Sequence, residues 1–429
     1  MENPPAHEPE KDISDATLFC YDNGLFISQA VKLAEKFKKV YYYCPHESAF
    51  PTMNLAYIGF GLDNIEVVHD VFFKGWEDVD VWYFPDVYAG ALQEHLASMG
   101  KNVWGARRGD ILELDRQGMK QIQDILGLPV GKYVTIKGIE NLRAFLKDNP
   151  DRFVKINRWR GIMESFYAAD YDEIEPRLDE LEYKLGPFKS IIEFIVEENL
   201  KDKVEWGYDG YCIDGEFPSK VVSGIEVKDK AYIGVFKDYK DIPEPLIRFN
   251  ERMKPVFKAY GWRGFVSTEI RIGEDHKPFQ IDLCARAGSP PSEIYQNFYS
   301  NFAEFIYMGS HGILIDPESD YKYGCEVLIH CSWADKNWCK VSFPEEIADQ
   351  VKLRNACKID GNHYCIPQSV GLPEIGAVVG LGDTIDECME SAKKAGQQIK
   401  GHYIEVPESA ADEAQEQIQK LKDLGLDAF

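Results

Sequence analysis

Between residue 14 and about residue 128, short apolar runs alternate with amphipathic stretches, and this rhythm constrains the fold more than any other feature of the chain. The segment ATLFCYD (16–22) reads as a strand. It is followed by Asn23-Gly24 and by LFISQAVKLAEKF, whose apolar residues recur at helical spacing. VYYYC, IEVVHDV, DVWYFPD and KNVWGA are further strand candidates. Strands separated by helices point to a parallel sheet with crossover helices, since parallel neighbours need long connections. LDRQGMKQIQDILGLP closes the region as a helix ended by Gly127 and Pro129.

The pattern then changes. Residues 130–190 hold the strand KYVTI, the helix IENLRAFLKD, the strands RFVKI and ESFYAA, and the helix DEIEPRLDELEYKL, a small α+β set. Residues 191–312 are rich in strands: SIIEFIVEE, KVEWGYDGYCIDGEF and KAYIGVFK precede a helix near PLIRFNERMKPVFKAYG. The alternating hairpin GFVSTEIRIGEDHKPFQIDLCARAG follows, turning at Gly273–Lys277. Residues 320 to about 405 contain several short strands and the helix TIDECMESAKKAGQQI, and ESAADEAQEQIQKLKDLGLDAF has the spacing of a terminal helix. At 429 residues the chain exceeds what one hydrophobic core organises, so an α/β and α+β multidomain protein is expected.

Charge limits the partners. With a net charge of −24 the surface repels phosphate backbones and anionic lipid, so neither nucleic acid nor a membrane is expected as a partner. No stretch reaches 18 uninterrupted apolar residues. The acidic, proline-bearing start MENPPAHEPEKD reads as a disordered tail over 1–13 rather than a signal peptide. The ten cysteines form no CxxC pair, so reduced, buried thiols and a cytoplasmic location are expected. In so acidic a body, a nucleotide site has to be a local island of Lys and Arg.

Three places carry candidate chemistry. In the hairpin, Asp282, Cys284 and Arg286 share one face of a strand, because i, i+2 and i+4 point the same way. If Glu269 pairs across on that face, two carboxylates suited to Mg²⁺ converge with an arginine behind them. A surface hairpin with ordinary cross-strand charge pairs explains the pattern equally well. Lys155, inside the apolar run RFVKI, is unusual unless its ammonium meets an anion. Arg158, Arg160 and Gly161 follow it in a loop suited to phosphate. The bland alternative is an edge strand whose lysine snorkels into water. The run IIEFIVEE can offer backbone to a purine and a carboxylate to ribose, as can many buried strands ending in Glu.

Taken in order, these elements resemble the ATP-grasp superfamily, with phosphoribosylamine–glycine ligases most similar and biotin carboxylases more distant. Asp115-Arg116 and Lys120 before Gly127-Leu128-Pro129 match the family's D/S-K-x-x-x-K helix and "GIP" turn, with Arg116 in place of Lys. Phe153-Val154-Lys155 matches its "VVK" strand, and Ile192–Ile195 its "EEFL" adenine strand. Asp282–Arg286 matches E-x-N-x-R, with Glu269 as the partnering carboxylate and Cys284 at the Asn position. ARAGSPPSE is similar to the RxGxPE stretch.

The resemblance implies an ATP-grasp fold with an N-terminal Rossmann-like pre-ATP-grasp domain (14–128), a lid subdomain (129–190), a large subdomain (191–318), a small C-terminal domain (319–405) and a terminal helix (406–429). It also implies ATP and Mg²⁺, with Mn²⁺ as the other ion. By the same likeness Arg116, Lys120, Lys155, Arg158 and Arg160 hold phosphates, and the backbone of Glu193, Phe194 and Ile195 faces adenine. Glu197 or Glu198 meets ribose, and Glu205 is a further carboxylate near the nucleotide. Glu269 and Asp282 bind metal, with Cys284 a soft ligand poorly suited to Mg²⁺. Arg286, with Lys155, stabilises the transferring phosphoryl group. The implied reaction joins a small-molecule carboxylate to an amine through an acyl phosphate, in a monomer or homodimer.

Two departures stand out: the glycine-rich lid loop is reduced to INRWRGIME, and YDNGLF replaces the glycine ligase's N-terminal glycine-rich signature. The alternatives are an ATP-grasp nucleotide-binding protein without ligase activity, and a biotin-carboxylase-like enzyme. A dinucleotide-dependent oxidoreductase is disfavoured, because no GxGxxG follows the first strand.

Overall fold

The computed structural model describes residues 3–45, 55–158, 165–200, 204–272, 278–367, 374–407, 409–423 and 425. The chain divides into two compact units: 1–110, 205–269 and 283–429 form unit 1, and 111–204 with 270–282 form unit 2.

Unit 1 opens with the expected parallel sheet. Its strands are β1 (Thr17–Tyr21), β2 (Lys39–Tyr43), β3 (Ile65–Val67), β4 (Val81–Tyr83) and β5 (Asn102–Trp104), in the order β3-β2-β1-β4-β5. Helices α1 (Ile27–Leu33) and α2 (Gly90–Ser98) provide crossovers. The order reverses between β1 and β4, the place where doubly wound sheets open a crevice at their carboxyl ends. Residues 3–7, expected as tail, are instead fastened to unit 1. Arg263 Nη2 donates to Pro4 O at 2.7 Å, Asn3 Nδ2 to Gly261 O at 3.0 Å, and His7 N to His311 O at 3.2 Å. Composition could not reveal a tail held by a buried arginine.

Unit 2 begins at α3 (Ile111–Leu114) and α4 (Arg116–Ile125), so the helix read from the sequence as closing the first region lies in this unit. Asp115 caps α4 by accepting from Gly118 N at 3.0 Å. Next come β6 (Tyr133–Lys137), α5 (Ile139–Asp148), β7 (Arg152–Ile156), β8 (Ser165–Ala168), α6 (Tyr171–Leu185) and β9 (Glu193–Glu198). The strands form an antiparallel sheet in the order β6-β9-β7-β8. Its core is its own: Leu142, Leu146, Val154, Phe166, Leu178 and Phe194 are buried together.

The chain returns to unit 1 through β10 (Val204–Ile213), β11 (Lys220–Val227) and β12 (Ala231–Asp238). The β11–β12 turn places Asp229 at φ 57°, a left-handed position that Asp tolerates. After α7 (Glu244–Ala259) come β13 (Arg263–Ile272) and β14 (Phe279–Cys284), the expected hairpin. Its turn, 273–277, lies outside the described residues. Both strands run from one unit into the other. Helices α8 (Ser292–Phe298) and α9 (Phe302–Ser310) lead to β15 (Tyr323–Cys331), β16 (Cys339–Val341), β17 (Val351–Leu353), β18 (Ala356–Ile359), β19 (Asn362–Cys365) and β20 (Glu374–Gly382). The large sheet runs β14-β13-β10-β11-β12-β15-β20-β17. The segment after residue 319 therefore extends this sheet, with β15 pairing β12 from Ala231↔Val327 to Val235↔Tyr323. Helix α10 (Ile385–Gly396) starts at a Thr384/Glu387 capping box, and α11 (Ala410–Asp423) is the terminal helix.

Among the described residues, no helix is long and apolar enough to cross a membrane.

Candidate functional site

In unit 2, two strands and a helix converge on one carboxylate. Lys155 on β7 and Glu197 on β9 occupy adjacent strands, and the Lys155 ammonium lies 3.2 Å from Glu197 Oε2. Lys120, one turn into α4, pairs with the other oxygen, Oε1, and its ammonium sits 5.0 Å from the centre of the Tyr133 ring. Lys155 also donates to Ile281 O at 3.1 Å. Burial opposes its charge, but the carboxylates of Glu197 and Asp282 outweigh that and raise its pKa. Glu197 is affected in the opposite sense: burial favours the neutral form, while Lys155 and Lys120 win and hold its pKa below the usual range. Lys155 is therefore charged at neutral pH.

Arg116 is buried and donates from Nη1 to Ile156 O at 2.7 Å, which ties the start of α4 to the end of β7. Arg158, at φ 61°, pairs with Asp115 at 2.7 Å. Asn157 bridges Asp115 and Glu193, each at 3.4 Å. The expected cations of α4, β7 and the following loop thus gather in one unit. Arg160 and Gly161 lie outside the described residues.

The adenine expectation meets a different environment. Phe194 and Ile195 are buried, and β9 has sheet partners on both edges, with Ile136↔Phe194 on one side and Ile156↔Phe194 on the other. The backbone of Glu193, Phe194 and Ile195 is thus embedded in the sheet. Glu197, expected near ribose, is engaged by the two lysines, whereas Glu198 is half-exposed and 3.5 Å from Lys132.

Unit 1 holds a group of three carboxylates. Glu205 on β10, Glu226 on β11 and Glu269 on β13 each offer an oxygen, and these atoms lie within 4.8 Å of one another. The topology explains the meeting, since β13, β10 and β11 are consecutive in the sheet. Gly207 pairs with Gly224, so Glu205 and Glu226 stand two residues outward on facing strands. Facing like charges are destabilising unless something neutralises them. Burial comes first in raising the pKa of Glu226; Lys228 opposes it, and Glu205 adds to it. Three hard oxygen donors suit a divalent cation such as Mg²⁺. Trp206, Asp209, Tyr232 and Pro290 line the same cleft. Asp209 is buried, accepts from Ser267 Oγ at 2.5 Å and from the Tyr232 hydroxyl, and is raised to about 6, chiefly by burial.

The sequence pattern points to Glu205 and Glu269 but not to Glu226. The signal that leads to it is the run SKVVSGIEV, whose apolar residues before the Lys228-Asp229-Lys230 turn have the character of a strand.

From Asp282 to Arg286, burial alternates as the sequence pattern requires. Asp282, Cys284 and Arg286 are half-buried, while Leu283 and Ala285 are buried. Arg286 Nε lies 3.9 Å from Asp86 Oδ1, just beyond the carboxyl end of β4, and Ala287 N donates to Pro85 O at 2.9 Å. Cys284 lies on that face and is in no disulfide.

No family model matches the sequence, and no curated protein matches it. Solved structures do match. Phosphoribosylamine–glycine ligase from Thermotoga maritima aligns with a TM-score of 0.70 at 14% identity, over 91% of this chain and 99% of that one. The biotin carboxylase domain of the Hydrogenobacter thermophilus 2-oxoglutarate carboxylase, crystallised with MgADP, ADP and bicarbonate, gives 0.65 at 9% identity, over 95% and 98%. L-amino acid ligase from Bacillus licheniformis gives 0.60 at 13% identity, over 91% and 99%. All three are ATP-grasp enzymes. The chain has the ATP-grasp fold. At these identities the likeness is one of fold. Within that fold, the lysine pair and the carboxylate triad are properties of this chain's own residues.

Proposed function

We propose that this ATP-grasp chain is an ATP-dependent ligase that joins a small-molecule carboxylate to an amine, releasing ADP and phosphate. The observation that carries the reading is the meeting of Glu205, Glu226 and Glu269 within 4.8 Å, a set of hard ligands that fits Mg²⁺. Glu226 adds a third oxygen donor to Glu205 and Glu269. Asp282, on the part of β14 that belongs to unit 2, is a separate candidate ligand. When bound, Mg²⁺ supplies charge neutralisation at the phosphate oxygens.

Lys120 and Lys155 take the phosphates, aided by Arg116, Arg158 and Arg160. Their shared carboxylate, Glu197, holds both ammoniums in place before nucleotide arrives. With Glu197 so engaged, the ribose role falls to Glu198. A substrate carboxylate attacks the γ-phosphorus, giving an acyl phosphate and ADP, and Arg286 offsets the developing charge. The amine then attacks the acyl carbon and phosphate leaves. The protein's work is positioning and neutralisation rather than covalent catalysis. Supporting the reading, two of the solved structures with this fold are named as ligases, and one holds MgADP.

The test is a pooled acid and amine screen that reads ADP and phosphate release, followed by mass spectrometry of the product, with Lys155→Ala as control. ADP release that depends on both an acid and an amine, and falls at least about a hundredfold in Lys155→Ala, is the expected result. ATP binding without ADP formation across the panel would instead favour a nucleotide-binding protein, for which Cys284 is the motivating residue. Turnover requiring bicarbonate and biotin would favour a carboxylase. Unaltered turnover in Lys155→Ala would sink the assignment of the phosphate site.

A further inference from the structure

Two thiols of unit 1 stand in contact although their strands belong to different sheets. Cys331 ends β15 in the large sheet, and Cys339 opens β16 in the three-stranded sheet β16-β19-β18. Their Sγ atoms lie 3.5 Å apart, both side chains are buried, and neither is in a disulfide. The Cys331 thiol donates to His402 O at 3.2 Å, and Cys339 Sγ reaches the same carbonyl at 4.0 Å. Residues 401–403, which supply that carbonyl, are exposed. Trp333, in the connection between the two thiols, is also exposed, and its ring packs edge-on against His402 at 5.0 Å. The pair therefore lies beneath one surface segment rather than deep in the core.

Other partners fit less well. Cys365 is opposite Cys339 in the β16–β19 register, but its thiol donates to Ile375 O at 3.8 Å. Among the described residues, no third Cys, His, Asp or Glu joins the two sulfurs within 4.8 Å, which leaves a two-sulfur link rather than a metal site. A disulfide holds its sulfurs about 2.05 Å apart, so closing the bond takes roughly 1.5 Å of side-chain movement. We propose that Cys331 and Cys339 are a reversible disulfide site, reduced at rest and closed by a low-molecular-weight disulfide, which joins the large sheet covalently to the β16-β19-β18 sheet. Cys331, as thiolate, attacks one sulfur of the small disulfide and expels one small thiolate, which takes up a proton. Cys339 then gives up its proton and attacks Cys331 Sγ, expelling the second small thiol. The two protein thiols lose two electrons, and the small disulfide gains them. Burial, then the contact with Cys331, raises the Cys339 thiol to about 12, so this second step quickens as pH rises. The pair shares no residue with the lysine cluster or the carboxylate triad.

Trypsin cuts at Lys336, between the two thiols, and leaves Cys331 in peptide 323–336 and Cys339 in peptide 337–340. The folded full chain, first reduced, is incubated with oxidised glutathione, quenched with N-ethylmaleimide and mapped by mass spectrometry. The two peptides should be linked at least about tenfold in excess of any other protein disulfide. Fragmentation should place the link on Cys331, since 323–336 also holds Cys325. Linking should be faster at about pH 8.5 than at about pH 7, and dithiothreitol should reverse it. Cys365→Ser should keep the link, and the unaltered chain in concentrated urea should lose the preference for it. The proposal is overturned if the folded chain forms no such link, if Cys339 is found joined to Cys365, or if Cys331 stops at the mixed disulfide with glutathione. It is equally overturned if native mass spectrometry finds zinc held by the reduced chain and lost in Cys339→Ser.

Discussion

Asp22 illustrates how a single buried carboxylate in unit 1 is read. It follows β1, is wholly buried, and accepts from the Tyr42 hydroxyl at 2.7 Å and from Phe26 N at 3.0 Å. Those bonds favour the anion, yet burial outweighs them and, with Asp86 adding to it, pushes the pKa up to about 7. The sign follows directly. The unfolded chain ionises near its ordinary carboxylate value, while the folded chain keeps the proton until about pH 7. The contribution of Asp22 is therefore fully present below about pH 4 and is lost as pH rises toward 7. Asp22→Asn should remove that loss. Urea denaturation at pH 4 and pH 8 should show the variant gaining on the unaltered chain by on the order of 3 kcal/mol. An unchanged difference between the two pH values would mean that Asp22 is already ionised in the folded protein. The Lys155–Glu197 pair works in reverse, because there partners defeat burial and both groups stay charged.

At the level of elements, what matters is which strands are neighbours. Glu205, Glu226 and Glu269 lie on three strands separated by up to 64 residues in sequence (269 − 205), and they meet only because β13, β10 and β11 are consecutive. If the triad holds a divalent cation, Glu226→Gln should lower Mg²⁺ affinity about tenfold or more, while Glu198→Gln on β9 leaves it unchanged. Calorimetric titration with Mg²⁺ alone measures this without requiring turnover. Equal affinities in the two variants would remove Glu226 from the metal set. The hairpin face bearing Asp282, Cys284 and Arg286 was legible beforehand, because strand alternation is a local rule that needs only the order of residues. Glu226 was not legible, because nothing local distinguishes it from the many carboxylates of a chain with 72 acidic residues.

At the scale of the whole molecule, the chain builds two units with separate cores, and unit 2 is assembled from a long insertion plus the end of the hairpin. Leu142 is fully buried within the unit 2 core. Leu142→Ala should cost about 3 kcal/mol there, and hydrogen exchange should rise across 111–204 while β1 and β4 keep their protection. Uniform loss across both units would show that they unfold as one. The sequence by itself determined the parallel sheet, the α+β character of 130–190, the hairpin and most helix positions, since periodicity, caps and turn residues act within a few positions along the chain. It also singled out Lys155, because a lysine in an apolar strand is anomalous where it stands, whereas Glu269 stood out only through its likeness to the family's partnering carboxylate. Only the tertiary structure decided that Glu197 holds both lysines, that Glu226 joins Glu205 and Glu269, that Pro4 is fastened by Arg263, and that Arg107 is buried. Each of these depends on strand order or on contacts across hundreds of residues, and the electrostatic state of a buried charge is set by what surrounds it rather than by its neighbours in sequence.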